Sequence, residues 1–215
     1  MLYLDMKLIV ISPSYDVENE ISQVETMFRK GLEVYHIRKP NYTTKDYENY
    51  LERINPKFYD RIVLHSRHNL VKKYRLKGVH VSKNHRKTFL KTFFRLLGIK
   101  LSTKGKLSIS TGISHLSVFE KVKFTGYNYI LLTPVFPSIS KKGRKGAFSM
   151  EKLRRALKKN RPFDVIASGG IDIQRLEKVR KLGFDGAAIM GGIWEQPDPL
   201  ISFEECLKFC DNLKK

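Results

Sequence analysis

The strongest constraint on the fold is an alternation that runs almost the length of the chain. Short runs of β-branched and other apolar residues recur, and amphipathic helical patterns separate them, as repeated βα units require. The strand candidates are 7–11, 32–37, 61–64, 78–81, 107–110, 129–132, 164–167 and 186–190. Several are apolar without alternation (LIVI, YILL, AAIM), as expected for strands covered on both faces. The helix candidates between them are 17–30, 44–54, 69–74, 88–97, 116–122, 150–159, 173–181 and 203–213. Ser149, Asp172 and Ser202 stand where N-caps are expected. Gly31, Gly78, Gly126 and Gly183 come at or shortly before every second strand, where a helix can end in a left-handed residue. Eight strands in 215 residues fit one closed (β/α)8 TIM barrel over residues 1–215 more easily than an open doubly wound sheet.

Composition narrows the setting. No apolar run approaches the roughly 18 residues of a membrane span, so a membrane partner is not expected. The N-terminal MLYLDMKLIVIS is short, carries Asp5 and lacks the basic start and small-residue cleavage site of a secretion signal. It reads as a buried first strand. Cys206 and Cys210 lie four apart in a helical pattern, which suggests free buried thiols on one face and a cytoplasmic protein. The net charge of +20 is uneven, because residues 61–150 hold 20 Lys or Arg and one acid, Glu120. Such a surplus attracts anions, whether nucleic acid, an anionic membrane surface or phosphorylated metabolites, which leaves a non-enzymatic binder of phosphate ligands or RNA as an alternative to an enzyme, or it is simply a solvated surface. Nucleic acid is the weaker reading. The basic residues Lys87, Lys91 and Arg95 alternate with Phe89, Phe93 and Phe94 at a spacing that suits core-facing aromatics, and no familiar nucleic-acid motif is present.

In a barrel the chemistry is expected just after the strands, at their carboxyl ends. Strand two is followed by Arg38, whose planar fork can hold a phosphate, and Lys39, a candidate second substrate-binding cation; His36 within that strand reads as a structural histidine. Strand six leads into TPVFPSISKKGRKG, in which hydroxyls, prolines and four cations make a plausible diphosphate grip. Lys142, Arg144 and Lys145 fit a ligand role or a merely basic loop equally. Paired glycines follow the last two strands, Gly169-Gly170 and Gly191-Gly192, and let backbone N–H groups approach a phosphate.

Together these stretches resemble thiamine-phosphate synthase and its TenI-like relative, a thiazole tautomerase, from Lys7 to about Trp194. VYHIRKP resembles the family's Q-L-R-acid-K strand, and GVHVSKNH its GVHLGQ-x-D strand. LLTPVFPSISKK resembles the G-P-x-F-x-T-x-T-K loop, and ASGGI and DGAAIMGG follow in order. The resemblance implies a transferase that joins hydroxymethylpyrimidine diphosphate to thiazole phosphate and releases diphosphate. Its partners would be these phosphorylated pyrimidine and thiazole substrates, with a homodimer as a candidate assembly. Arg38 would bind diphosphate with Ser138, Ser140 and Lys141, while Gly169, Gly170, Gly191 and Gly192 would hold the thiazole phosphate.

The family also implies Mg²⁺ held by aspartates, and here this chain departs from the pattern. The Asn-Asp pair after strand three appears as His65-Ser66, and the glutamine and aspartate after strand four as Lys83 and His85. The chain therefore offers no protein metal ligand of the family's kind. Two accounts follow. Lys83, with Arg38 and Lys141, could balance the diphosphate directly. Alternatively the barrel handles only thiazole phosphate, as the tautomerase does, with His115 as acid–base catalyst, offset by one from the family's histidine. His115 could equally cap the helix that follows it.

Overall fold

The computed structural model describes residues 6–83, 85, 89–103, 106–121, 126–139, 146–158 and 161–212. Its strands are β1 (Lys7–Ile11), β2 (Val34–Ile37), β3 (Ile62–Leu64), β4 (Gly78–Val81), β5 (Ser108–Ile113), β6 (Tyr129–Leu132), β7 (Asp164–Ser168) and β8 (Gly186–Ile189). All pair in parallel with their sequence neighbours. β1 also pairs with β8 through Lys7↔Gly186 and Val10↔Ile189, which closes the barrel. The helices are α1 (Glu20–Arg29), α2 (Thr44–Glu52), α3 (Leu70–Tyr74), α4 (Phe89–Ser102), α5 (Leu116–Lys121), α6 (Met150–Leu157), α7 (Ile173–Leu182), the single turn α8 (Gly191–Trp194) and α9 (Pro199–Asp211). A 3-10 turn, Pro56–Arg61, precedes β3. Among the described residues no helix is long and apolar enough to cross a membrane. Cys206 and Cys210 are buried thiols on one helix face, as the pattern suggested.

The pleat sorts the side chains into two sets. Residues such as Tyr35, Ile37, Ile62, Leu64 and Ile130 point outward and pack under the helices, where Phe28, Leu51, Leu153 and Phe203 meet them. Their alternates point inward. Ile9, Ile11, Tyr129, Leu131, Ile166 and Ala188 form a separate apolar cluster inside the barrel. At its amino end Lys7 and Asp164 make an ion pair across β1 and β7.

Several details differ from expectation. β5 runs to Ile113, because Thr111 pairs with Val81 and Ile130 and Gly112 with Leu131, so the ladders on both sides carry it on. The last helix begins at Pro199 because Asp198, not Ser202, is its N-cap; the Asp198 carboxylate accepts from the backbone N–H groups of Leu200 and Ile201. Asp172 caps α7 as expected, whereas the Ser149 side chain makes no cap bond. Gly31, Gly126 and Gly183 have positive φ, but Gly78 does not. Gly78 is needed inside β4, where a Cβ would lie 2.0 Å from the Ser108 carbonyl oxygen. Phe94 is exposed rather than core-facing.

Candidate active site

A cavity of about 430 Å³ opens at the carboxyl ends of the strands, and all eight strands or their following loops contribute to its wall. Arg38, just past β2, and Lys83, just past β4, are its cations, and no carboxylate lines it among the described residues. The Arg38 backbone N–H donates to Ser12 Oγ at 2.8 Å, which ties the end of β2 to β1 while the guanidinium stays exposed.

Lys39 does not reach the cavity. The two-residue period that aims Arg38 at the cavity sends Lys39 the opposite way, into the layer between barrel and helices. Its ammonium is buried there and donates to Glu20 Oε2 at 2.7 Å and to the Tyr15 carbonyl at 2.5 Å. Glu20 Oε1 accepts from Tyr35 and Tyr50 at 3.0 and 2.7 Å. This buried, hydrogen-bonded pair is structural, because either charge left alone would be strongly destabilising.

The loop after β6 folds onto the loop after β7. The N–H groups of Val135 and Phe136 donate to the carbonyls of Ser168 and Gly169 at 2.9 and 3.1 Å. Gly170 sits at φ +65°, and a Cβ there would lie 2.1 Å from the Pro137 carbonyl oxygen, so only glycine fits. The Arg175 guanidinium holds the Gly170 carbonyl at 2.5 Å. Ser138, Gly169, Gly170 and Gly191 therefore line one cavity with Arg38 and Lys83. Gly192 lies behind that wall, packed on the Ile171 carbonyl. Ser140 and Lys141, with Lys142, Arg144 and Lys145, lie outside the described residues.

His115 is exposed and is not part of the cavity wall; its carbonyl accepts from the N–H groups of Val118 and Phe119 and so starts α5. Of the two roles open to it, the helix-starting one is what the geometry provides. Ser114, its neighbour, lines the cavity instead.

Three other histidines meet at the cavity floor, where sequence reasoning had not assembled them. His36, His65 and His80 stand on or just past β2, β3 and β4, each facing inward. His36 Nδ1 lies 2.9 Å from His65 Nε2, and the His65 and His80 rings stack with centroids 4.1 Å apart. Outer partners hold two of them: Tyr129 Oη lies 2.6 Å from His36 Nε2, and Ser110 Oγ 3.0 Å from His80 Nδ1. Burial pushes the His36 imidazolium pKa down to about 3. Burial first, then the neighbouring His80, His36 and Arg38, hold that of His65 well below the usual histidine value. Both shifts favour the neutral form of His36 and His65.

The Mg²⁺ that the family pattern implies does not fit these residues. Mg²⁺ takes oxygen ligands, chiefly carboxylates. Its expected positions hold an imidazole (His65), an ammonium (Lys83), His85 hydrogen-bonded to Ser82, and a hydroxyl (Ser66) that donates to Tyr47. No step below is routed through that ion.

Comparison with known proteins gives the family and the fold. The chain is 24% identical over 210 residues to the thiamine-phosphate synthase of Methanobrevibacter smithii, covering 95% of each chain. Its fold resembles thiamine phosphate pyrophosphorylase from Pyrococcus furiosus, with a TM-score of 0.77 at 19% identity over 100% of both chains. The corresponding enzyme of Bacteroides thetaiotaomicron gives 0.69 at 23% identity, over 98% of this chain and 100% of that one. The family model for thiamine monophosphate synthase matches residues 8–193, and the chain belongs to that family.

Proposed function

We propose that this barrel is a transferase of thiamine biosynthesis that joins hydroxymethylpyrimidine diphosphate to thiazole phosphate. The observation that carries this reading is the convergence of Arg38, Lys83, Ser138 and the glycines 169, 170 and 191 on one cavity that no carboxylate lines among the described residues. The carbon–oxygen bond to the diphosphate breaks, the bonding electrons leave with diphosphate, and the thiazole nitrogen captures the pyrimidine carbocation. Arg38 and Lys83 balance the charge that builds on the leaving group, joined by Lys141 in the family pattern, while Ser138 donates a hydrogen bond. The glycine loops after β7 and β8 hold the thiazole phosphate through backbone N–H groups and so fix its nitrogen near the cation. The tautomerase reading is weaker, because His115 stands outside the cavity wall. Two buried thiols suit a reducing, cytoplasmic setting.

The test is direct. Incubation of the full chain with both substrates should yield thiamine phosphate and diphosphate in equal amounts. A folded sample that makes no product with Mg²⁺, with Zn²⁺ or without added metal would overturn the assignment.

A further inference from the structure

We propose that His36, His65 and His80 form a site for a divalent transition-metal ion of the Zn²⁺ class at the floor of the cavity. One ring nitrogen of each residue lies within 4.8 Å of those of the other two. The closed sheet itself makes this arrangement. His36 pairs in register with Val63, and Val63 with Gly78, so inward positions two residues further on bring His65 beside His80. Neutral imidazoles select Zn²⁺, Co²⁺, Ni²⁺ or Cu²⁺ over Mg²⁺. Three histidines with an open fourth position are also a known arrangement for a catalytic zinc ion.

The surroundings match a metal site more closely than a polar plug. A histidine that binds a metal usually has its other nitrogen fixed by an outer partner. Tyr129 at 2.6 Å does this for His36 and Ser110 at 3.0 Å for His80. Zinc–nitrogen bonds of about 2.0–2.1 Å require the nitrogens to draw together, which turns the stacked His65 and His80 rings apart. Gly112 leaves room for that turn, since a Cβ there would stand 3.3 Å from His80 Nε2. A plug that served only packing would bury three imidazoles at a desolvation cost that apolar side chains avoid.

His65 and His80 line the cavity and His36 lies beneath them, fully buried, so the open position faces the substrates. Arg38 and Lys83 on the same wall oppose a dication until an anion is present. The ion would therefore bind more tightly with an anion in the cavity and would take that anion's donor atom as its fourth ligand.

Cobalt binding reads this site without turnover, so its result stands apart from that of the synthase assay. Full-length protein stripped with a chelator is titrated with Co²⁺ and followed by visible absorption. The expected result is one ion per chain with tetrahedral or five-coordinate Co²⁺ bands, displaced by Zn²⁺ and shifted by sodium azide at the open position. Tyr129→Phe should weaken binding by about 10–100-fold, the usual effect of removing an outer partner. His65→Ala and His80→Ala should weaken it at least as much, and His115→Ala should leave it unchanged. If the histidine variants fail to fold, side-chain ¹⁵N resonances of the intact protein serve instead, and Zn²⁺ should shift those of His36, His65 and His80 together. No Co²⁺ uptake, or uptake unchanged in a folded His65→Ala/His80→Ala double variant, would overturn the site. So would ¹⁵N resonances that Zn²⁺ leaves in place.

Discussion

The two halves of the barrel interior are built from different materials. Where β1, β6, β7 and β8 face inward, Ile9, Ile11, Leu131, Ile166 and Ala188 make an apolar wall. Where β2 to β5 face inward, the wall is His36, His65, His80 and Ser110, with the open face of Gly112. Both halves share one hydrogen-bonded sheet, so the backbone does not demand the difference. The aliphatic half is what stability alone would select, since burying hydrocarbon is favourable and burying imidazole is not. The histidine half carries a folding cost, and chemistry explains why that cost is retained. Tyr129 joins the two, with its ring in the apolar cluster and its hydroxyl on His36.

If that division is right, mutations in each half should fail in different ways. Ile166→Ala opens a hole in the apolar wall, and urea denaturation should show a loss of about 2–5 kcal/mol with cobalt binding kept. Arg38→Ala, at the exposed end of β2, should lower kcat/KM for thiamine phosphate formation by roughly 10²–10³-fold, with the unfolding midpoint unchanged. Acid should act on the histidine half through His36. His36 binds its proton at about pH 3 when folded but near pH 6.5 when unfolded, so the unfolded chain binds more protons between those values. Chelator-treated protein should therefore lose stability as pH falls from about 6.5 toward 3, and His36→Leu should flatten that slope. The smallest expected effect is on the stability of a His36→Leu/Tyr129→Phe double variant. The His36–Tyr129 pair is replaced whole by apolar groups and His65, which also contacts His36, faces the open cavity, so stability should stay within about 1 kcal/mol of the parent while cobalt binding is lost.

Much of this layout is legible in the sequence, and the misses have physical causes. The strand candidates all fall on real strands, because continuous apolar runs such as YILL have no other comfortable place in a parallel sheet. The cavity residues Arg38, Lys83, Ser138, Gly169, Gly170 and Gly191 were visible as strand-end residues. Lys39 is a binding candidate only by adjacency to Arg38, and the period of two sends adjacent residues to opposite faces. His115 was placed by motif spacing, and the longer β5 moves the start of its loop. The histidine cluster was the hardest to see. Its members are separated by 29 and 15 positions, and only ring closure and register bring them together. The one signal available was that each occupies an inward position of three consecutive strands, which can be read only once the register is known.

The measurement that tests the central claim most directly is a crystal structure with diphosphate and thiazole phosphate bound. The account predicts diphosphate between Arg38, Lys83 and Ser138, with the thiazole phosphate on the backbone of Gly169, Gly170 and Gly191. Both anions bound outside the cavity, with Arg38 contacting neither, would contradict it.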